Sequence, residues 1–164
     1  MYPSPEVQQR LKEIEGWSAK AYPDATGHSI GYGHFIDPIN EAYLLSGEID
    51  KTKGQQLFDR DLAKAVQFIT TRIKVPINQN QLDALVLLTY NAGQYPITTG
   101  TLDDRINGNQ GEAAIRSKWM EYNKSRNAAG VLSINRVLTA RRIEEVNLYF
   151  TRPGDMTPIA KKKS

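Results

Sequence analysis

Glu15–His34, EGWSAKAYPDATGHSIGYGH, is the stretch that decides how this chain is read. Its only carboxylates are Glu15 and Asp24, nine residues apart, and three glycines, Gly27, Gly31 and Gly33, crowd into the seven residues from 27 to 33. Upstream, Ser4 and Pro5 read as the cap and first position of a helix. Val7, Leu11 and Ile14 then share one helical face, Glu15 falls on its margin and Glu13 points to solvent. Gly16 stops the helix. From Ala19 to Phe35 the mixture of glycine, proline, β-branched and aromatic residues predicts a small β-hairpin or three-stranded sheet with tight turns.

The chemistry follows from that placement. Glu15 is expected to be half-buried in the last turn of a helix. Burial and the negative end of the helix dipole both disfavour its carboxylate, so both raise its pKa toward that of a general acid. Asp24 lies in the turn composition YPDATG. Two acids from different elements facing one hairpin suit cleavage of a glycosidic bond. A separation of roughly 6.5–9.5 Å leaves room for a water molecule, and one of roughly 5–5.5 Å favours direct attack. Ser29, on the strand after the turn, has a hydroxyl that can hold a water or the Asp24 carboxylate. It lacks the GxSxG surroundings of a serine nucleophile. Gly31 and Gly33 leave space for a ligand or another backbone. His28 and His34 are spaced five residues apart without cysteine, a poor metal pattern, so no metal is expected. No cofactor is expected either, since GYG is not followed by the GK[ST] of a phosphate loop.

Outward from this stretch, Thr52 and Gln55 form a capping-box pattern ahead of a helix of about six turns through Ile73, which Val75-Pro76 ends. Asn78 and Gln81 repeat the cap signal before QLDALVLLTYNAG, an almost all-round apolar helix that belongs in the middle of a core. GQYPITTG reads as a loop. Short helices are predicted over 101–107 and 112–122, and a last helix over 134–149. Thr151 onward is expected to fray. The fold class is α+β, mainly helical, with a single domain over 1–150 made of two lobes and a basic, flexible tail over 151–164.

Composition bounds the rest. The 164 residues contain no cysteine, which excludes disulfides and thiol catalysis, and 40% are apolar, enough for a core. No run approaches the ~18 apolar residues of a membrane span, so stable membrane insertion is not expected. The N-terminus lacks the apolar region of a secretory signal. A net charge of +3 suits an anionic polymer. Outside the terminal KKKS the basic residues form no continuous stripe, which argues against nucleic acid.

The pattern EG-x5-Y-x-D-x2-G-x-SIGYGH resembles the signature of phage-type lysozymes, the family 24 glycoside hydrolases that include phage endolysins. NQNQLDALVLLTYNAG resembles the family's central helix, TTGTLDDRING its following loop and short helix, and Trp119–Tyr122 with VLTARRIEEVNLYF its closing elements. The resemblance spans about residues 5–150. It implies a two-lobed α+β phage lysozyme-like fold with a small N-terminal β-hairpin lobe and a helical C-terminal lobe. It implies hydrolysis of the β-1,4 bond between N-acetylmuramic acid and N-acetylglucosamine in peptidoglycan, with inversion at the anomeric centre. Glu15 matches the general acid, Asp24 the second carboxylate, and Ser29 the family's threonine before IGYGH. His34 matches a structural histidine whose partner is Asp61. Tyr32, Gln94, Tyr95 and Thr98 are taken as substrate contacts, whereas Arg141 and Arg142 are expected on a helix surface. Serine in place of threonine, and a gap from Asp24 to Ser29 one residue shorter than the common pattern, leave open a lytic transglycosylase giving anhydro-muramic products. A non-catalytic virion or wall-binding protein is the other alternative. The implied partner is peptidoglycan, acted on by a monomer made in the host cytoplasm, with holin-dependent release or virion association.

Overall fold

The computed structural model describes residues 1–98 and 101–159. The expectations for Thr99, Gly100 and the KKKS tail fall outside these residues. The chain divides into two compact units, residues 8–64 on one side and residues 1–7 with 65–164 on the other. Its elements are α1 (Pro5–Glu15), β1 (Ser18–Asp24), β2 (Gly27–Gly31), β3 (His34–Phe35), α2 (Lys51–Arg72), α3 (Gln79–Ala92), α4 (Tyr95–Thr98), α5 (Leu102–Asn107), α6 (Glu112–Met120), β4 (Lys124–Arg126), β5 (Leu132–Ile134) and α7 (Arg136–Tyr149), with one 3-10 turn at Ala42–Leu45. The fold is α+β and mainly helical, as the sequence predicts.

In the 8–64 unit, β1, β2 and β3 form an antiparallel sheet in that order. Its inner face supplies Ile30, which packs with Ile36, Leu44 and Leu57 into a buried cluster closed by Ala21 and Ile49. Trp17 packs against the α2 backbone at Gly54, where an added Cβ would come within 2.2 Å of the indole. Only glycine fits there. The cap of α2 is Asp50, whose carboxylate accepts from the Lys53 backbone N–H at 2.7 Å. Thr52, the residue expected to cap, is already inside the helix. An aspartate side-chain oxygen at the cap does the same work as a threonine hydroxyl.

In the other unit, α3 is the buried axis. Leu82, Ala84, Leu85, Val86 and Leu88 have no exposed surface. Its capping box is complete: the Asn78 side chain accepts from Gln81 N–H at 2.9 Å, and Gln81 Oε1 accepts from Asn78 N–H at 2.9 Å. Helix α7 packs along α3 and corrects an expectation. Arg142 is not on the helix surface but only 1% exposed. Its guanidinium donates to Glu145 at 2.7 Å, to Asn91 Oδ1 at 2.6 Å and to the Tyr122 carbonyl at 3.1 Å. Glu145 also accepts from the Trp119 indole N–H at 2.9 Å. Burial pushes the Glu145 carboxyl up to about 7, against the pull of Arg142 and Trp119. A buried guanidinium needs such a set of acceptors, and they come from α3, α7 and the loop after α6.

Three further departures are local. GQYPITTG contains the short helix α4. Lys124–Arg126 and Leu132–Ile134 form an antiparallel ribbon ahead of α7. Residues 151–159 are held to the rest of their unit rather than frayed. The Asn80 side chain donates to the Thr151 carbonyl at 3.0 Å, and Ile159 is 3% exposed.

Replacing Arg142 by Met removes one partner of a buried pair and strands Glu145. The folded state should lose about 3 kcal/mol, read as a lower denaturant midpoint. Arg141→Met, at a partly exposed position, should change it by less than about 1 kcal/mol.

Candidate active site

The site begins with strand register. β1 and β2 are joined by a two-residue turn at Ala25 and Thr26, with Asp24 opposite Gly27 and Tyr22 opposite Ser29. Residues directly opposite, and residues two apart on one strand, share a face. Tyr22, Asp24 and Ser29 therefore stand together, while Ile30 turns into the core. The Ser29 hydroxyl donates to Asp24 Oδ2 at 2.8 Å, and the Ala25 N–H donates to Oδ1 at 2.7 Å. The hydrogen bond from Ser29, then that from Ala25, holds the Asp24 carboxyl below the usual aspartate range, burial opposing. Asp24 is an ionised, fixed carboxylate at neutral pH. The shortened gap to Ser29 does not separate the pair, because the tight turn sets the register that brings them together.

Glu15 arrives from the end of α1. Its side chain lies against Gly33, where φ is +74° and a Cβ would stand 2.5 Å from Oε2. The space left by Gly33 is thus occupied by the acid itself, whereas Gly31 faces Ile49, Gly54 and Trp17. The Tyr22 phenol lies within electrostatic reach of both carboxylates. Burial first, then the charges of Glu15 and Asp24, raise its pKa, with a hydrogen bond to Ser29 opposing. Tyr22, not among the candidates named from the sequence, shares the face of Asp24 and Ser29. The signal was its position two residues before Asp24 on a strand.

The remaining sequence candidates are placed less favourably. Tyr32 belongs to an aromatic cluster, 5.0 Å from Trp17 and 5.8 Å from Phe58, ring centre to ring centre, with Lys51 and Lys12 over the rings. In the other unit, the exposed ring of Tyr95 lines a cavity of about 600 Å³ with Asn91, Lys118, Tyr122, Leu132 and Arg142. Gln94 and Thr98 do not line it. The Thr98 hydroxyl and backbone N–H both donate to the Gln94 carbonyl, at 3.1 Å each.

His34 is 4% exposed, and both its ring nitrogens face carboxylates. Nδ1 is 2.7 Å from Asp61 Oδ2, the partner expected from the sequence, and Nε2 is 2.8 Å from Glu41 Oε2. Arg60 clamps the other Glu41 oxygen. A carboxylate at each ring nitrogen favours the doubly protonated ring, since each acceptor calls for an N–H donor. Burial pushes its pKa down, but the hydrogen bonds to Asp61 and Glu41 outweigh that and raise it. Burial likewise pushes Glu41 up, yet its bonds to His34, the Asp37 N–H and Arg60 bring it to about 2. Glu41 and Asp61 sit at opposite ring nitrogens and share no common point. Among the described residues no group of three or more His, Asp or Glu side chains is placed to hold a metal ion.

This cluster has a defined pH window. The raised His34 contributes stability below its unfolded pKa of about 6.5, and that contribution is lost as pH rises through its folded value. The depressed Glu41 contributes above its unfolded pKa of about 4.5, and that is lost as pH falls toward 2. The cluster's own contribution to stability should be greatest between about pH 4.5 and 6.5, superimposed on the loss that the raised Glu145 imposes as pH climbs from about 4.5 toward 7. His34→Gln should flatten the decline on the alkaline side, and an unchanged alkaline slope would remove His34 as its source.

Comparison with known proteins places this arrangement. The phage lysozyme family pattern matches residues 12–145. The endolysin of Bacillus phage B103 is 30% identical over 158 residues, covering 94% of this chain and 55% of that protein. The chain thus spans about half the length of that relative. The endolysin of Salmonella phage P22 is 34% identical over 106 residues, 64% of this chain and 73% of its own. Among solved structures, an endolysin from Escherichia coli O157:H7 phage FAHEc1 superposes with a TM-score of 0.77 at 28% identity, covering 96% of this chain and 97% of that one.

Proposed function

The chain belongs to the phage lysozyme family, and on that premise we propose that it hydrolyses the β-1,4 bond between N-acetylmuramic acid and N-acetylglucosamine in bacterial peptidoglycan. The observation that carries this reading is the shared face of Tyr22, Asp24 and Ser29 with the Glu15 side chain folded over Gly33. Glu15 donates a proton to the glycosidic oxygen as the bond to the anomeric carbon breaks. Asp24, held ionised by Ser29 and Ala25, stabilises the positive charge that develops on the sugar and orients the incoming water. Ser29 fixes the carboxylate and supplies the second hydrogen-bonding group to that water. The water adds to the anomeric carbon, loses its proton through Asp24, and leaves a reducing muramic end. Water attacking the face opposite the leaving oxygen inverts the centre.

A hydroxyl anchored 2.8 Å from a fixed carboxylate favours hydrolysis over transfer to the sugar's own 6-hydroxyl. Retention of both acids in one constellation supports an enzyme over a wall-binding remnant. Tyr95, with an exposed ring on a cavity, is proposed as a sugar contact. Gln94 and Thr98 would act through the backbone turn that carries it, and Tyr32 by holding the glycines beside Glu15. The corresponding biological role is phage lysis by a monomer made in the host cytoplasm and delivered to the cell wall. Lysis of cells expressing the chain with and without a holin tests release through a holin pore against carriage in the virion.

Mass spectrometry of purified peptidoglycan after digestion tests the reaction. Reducing ends carrying one added water are expected, and anhydro ends would replace hydrolysis by transglycosylation. Glu15→Gln should retain the fold and lower turnover by more than about 100-fold. Ser29→Ala removes the group that holds Asp24 down, so the acidic limb of the kcat/KM profile should move to higher pH as activity falls. An acidic limb that stays in place would detach Ser29 from the Asp24 ionisation. Gly33→Ala forces a Cβ into the Glu15 carboxylate and should reduce kcat more than it lowers the melting temperature.

A further inference from the structure

Between Glu121 and Glu144 the chain carries no acidic residue, yet it contains Lys124, Arg126, Arg136, Arg141 and Arg142. Arg142 is consumed inside the core by Glu145, Asn91 and the Tyr122 carbonyl. Lys124 and Arg126 lie on the β4–β5 ribbon, and Arg136 opens the helix that follows it. Its register decides what the ribbon displays. Lys124 pairs with Ile134 and Arg126 with Leu132, whereas Ser125 pairs with Ser133. Opposite residues share a face, so one face holds Lys124, Arg126, Leu132 and Ile134 and the other holds the two serines. Leu132 is 57% exposed and Ile134 69%, and Val131 at the end of the turn is 58% exposed. The ribbon is held firmly. The Asn127 side chain accepts from the backbone of Ala129 and Val131 at 3.0 Å each, and the Arg126 guanidinium donates to the Gly130 carbonyl at 2.9 Å.

Lys124 and Leu132 also line the Tyr95 cavity, whereas Arg126, Val131 and Ile134 do not, so exposed aliphatics beside a cation remain that the sugar contact does not explain. A dissolved anionic polymer would be met by the cations alone. An anionic lipid surface meets both, since its phosphates take the Lys and Arg groups while the acyl boundary takes the branched aliphatics. We propose that the β4–β5 ribbon docks this protein peripherally on bilayers bearing anionic lipid, inserting Val131, Leu132 and Ile134 at the headgroup boundary. The proposal rests on the ribbon alone and stands or falls apart from the catalytic reading.

Co-sedimentation of the full chain with vesicles of phosphatidylglycerol and phosphatidylcholine tests it, with pure phosphatidylcholine vesicles as reference. Binding to the anionic vesicles alone, weakened by salt, is expected. Each basic side chain brought to an anionic surface adds about fivefold to partitioning. Lys124→Gln with Arg126→Gln should therefore lower it by about tenfold or more, and Leu132→Ser with Ile134→Ser should lower it comparably. Circular dichroism confirms that each variant is folded. Ile39→Ser, at an aliphatic residue 87% exposed in the other unit, should leave partitioning unchanged. No sedimentation with anionic vesicles would overturn the proposal. So would equal sedimentation with both vesicle types, ribbon variants that bind like the parent, or an equal loss in Ile39→Ser.

Discussion

The turn at Ala25 and Thr26 is the constraint on which the acid constellation depends. A strand presents alternate residues to opposite faces, so a register slip of one residue would exchange the two faces. Ser29 would then enter the core and Ile30 would face the acids. The two-residue turn forbids that slip, because Asp24 must oppose Gly27. Burial of Ile30 against Ile36, Leu44 and Leu57 stabilises the same register from the other side. The hydrogen bond from Ser29 to Asp24 is thus a consequence of chain connectivity and core packing together. The substitution of serine for threonine changes little in this geometry, since the hydroxyl already has a charged acceptor that fixes it.

Charge in this protein is distributed between two kinds of environment. Asp24 is exposed and ionised, steadied by two donors. Glu145 and His34 are buried, and each is tolerable only because ionic or polar partners surround it. The His34 cluster joins β3, the loop before the 3-10 turn and α2 through Glu41, Asp61 and Arg60. The Arg142 cluster joins α3, α6 and α7. Each ties together several elements of its own unit. Desolvation makes such clusters intolerant of losing one member, and that intolerance specifies how the elements pack.

Much of this architecture was legible in local pattern. The Asn78–Gln81 capping box and the apolar run behind it predict α3 almost to its ends, because cap and periodicity act within one turn. Ser4, Pro5 and Gly16 bracket α1 for the same reason. The placement of Glu15 on the margin of the apolar face followed from helical geometry, and its half-buried position agrees. Asp24 and Ser29 could be named as partners, but not their distance, which depends on turn length and strand register.

By itself the sequence determined the helical segments, the small antiparallel sheet, the acids available for chemistry and the family pattern, since each is written in contiguous residues. Only the tertiary structure decided the rest. It buried Arg142, which by composition reads as a surface cation, and brought it Asn91 from 51 residues away. It added Glu41 and Arg60 to the His34 and Asp61 pair and set Tyr32 among aromatic rings. It also folded 124–134 into a ribbon whose short strands have no apolar alternation to announce them. These outcomes depend on groups far apart in the chain that must share one desolvated volume or one ladder of hydrogen bonds. No local periodicity encodes such a partner, and the free energy of the contact exists only once the chain has closed.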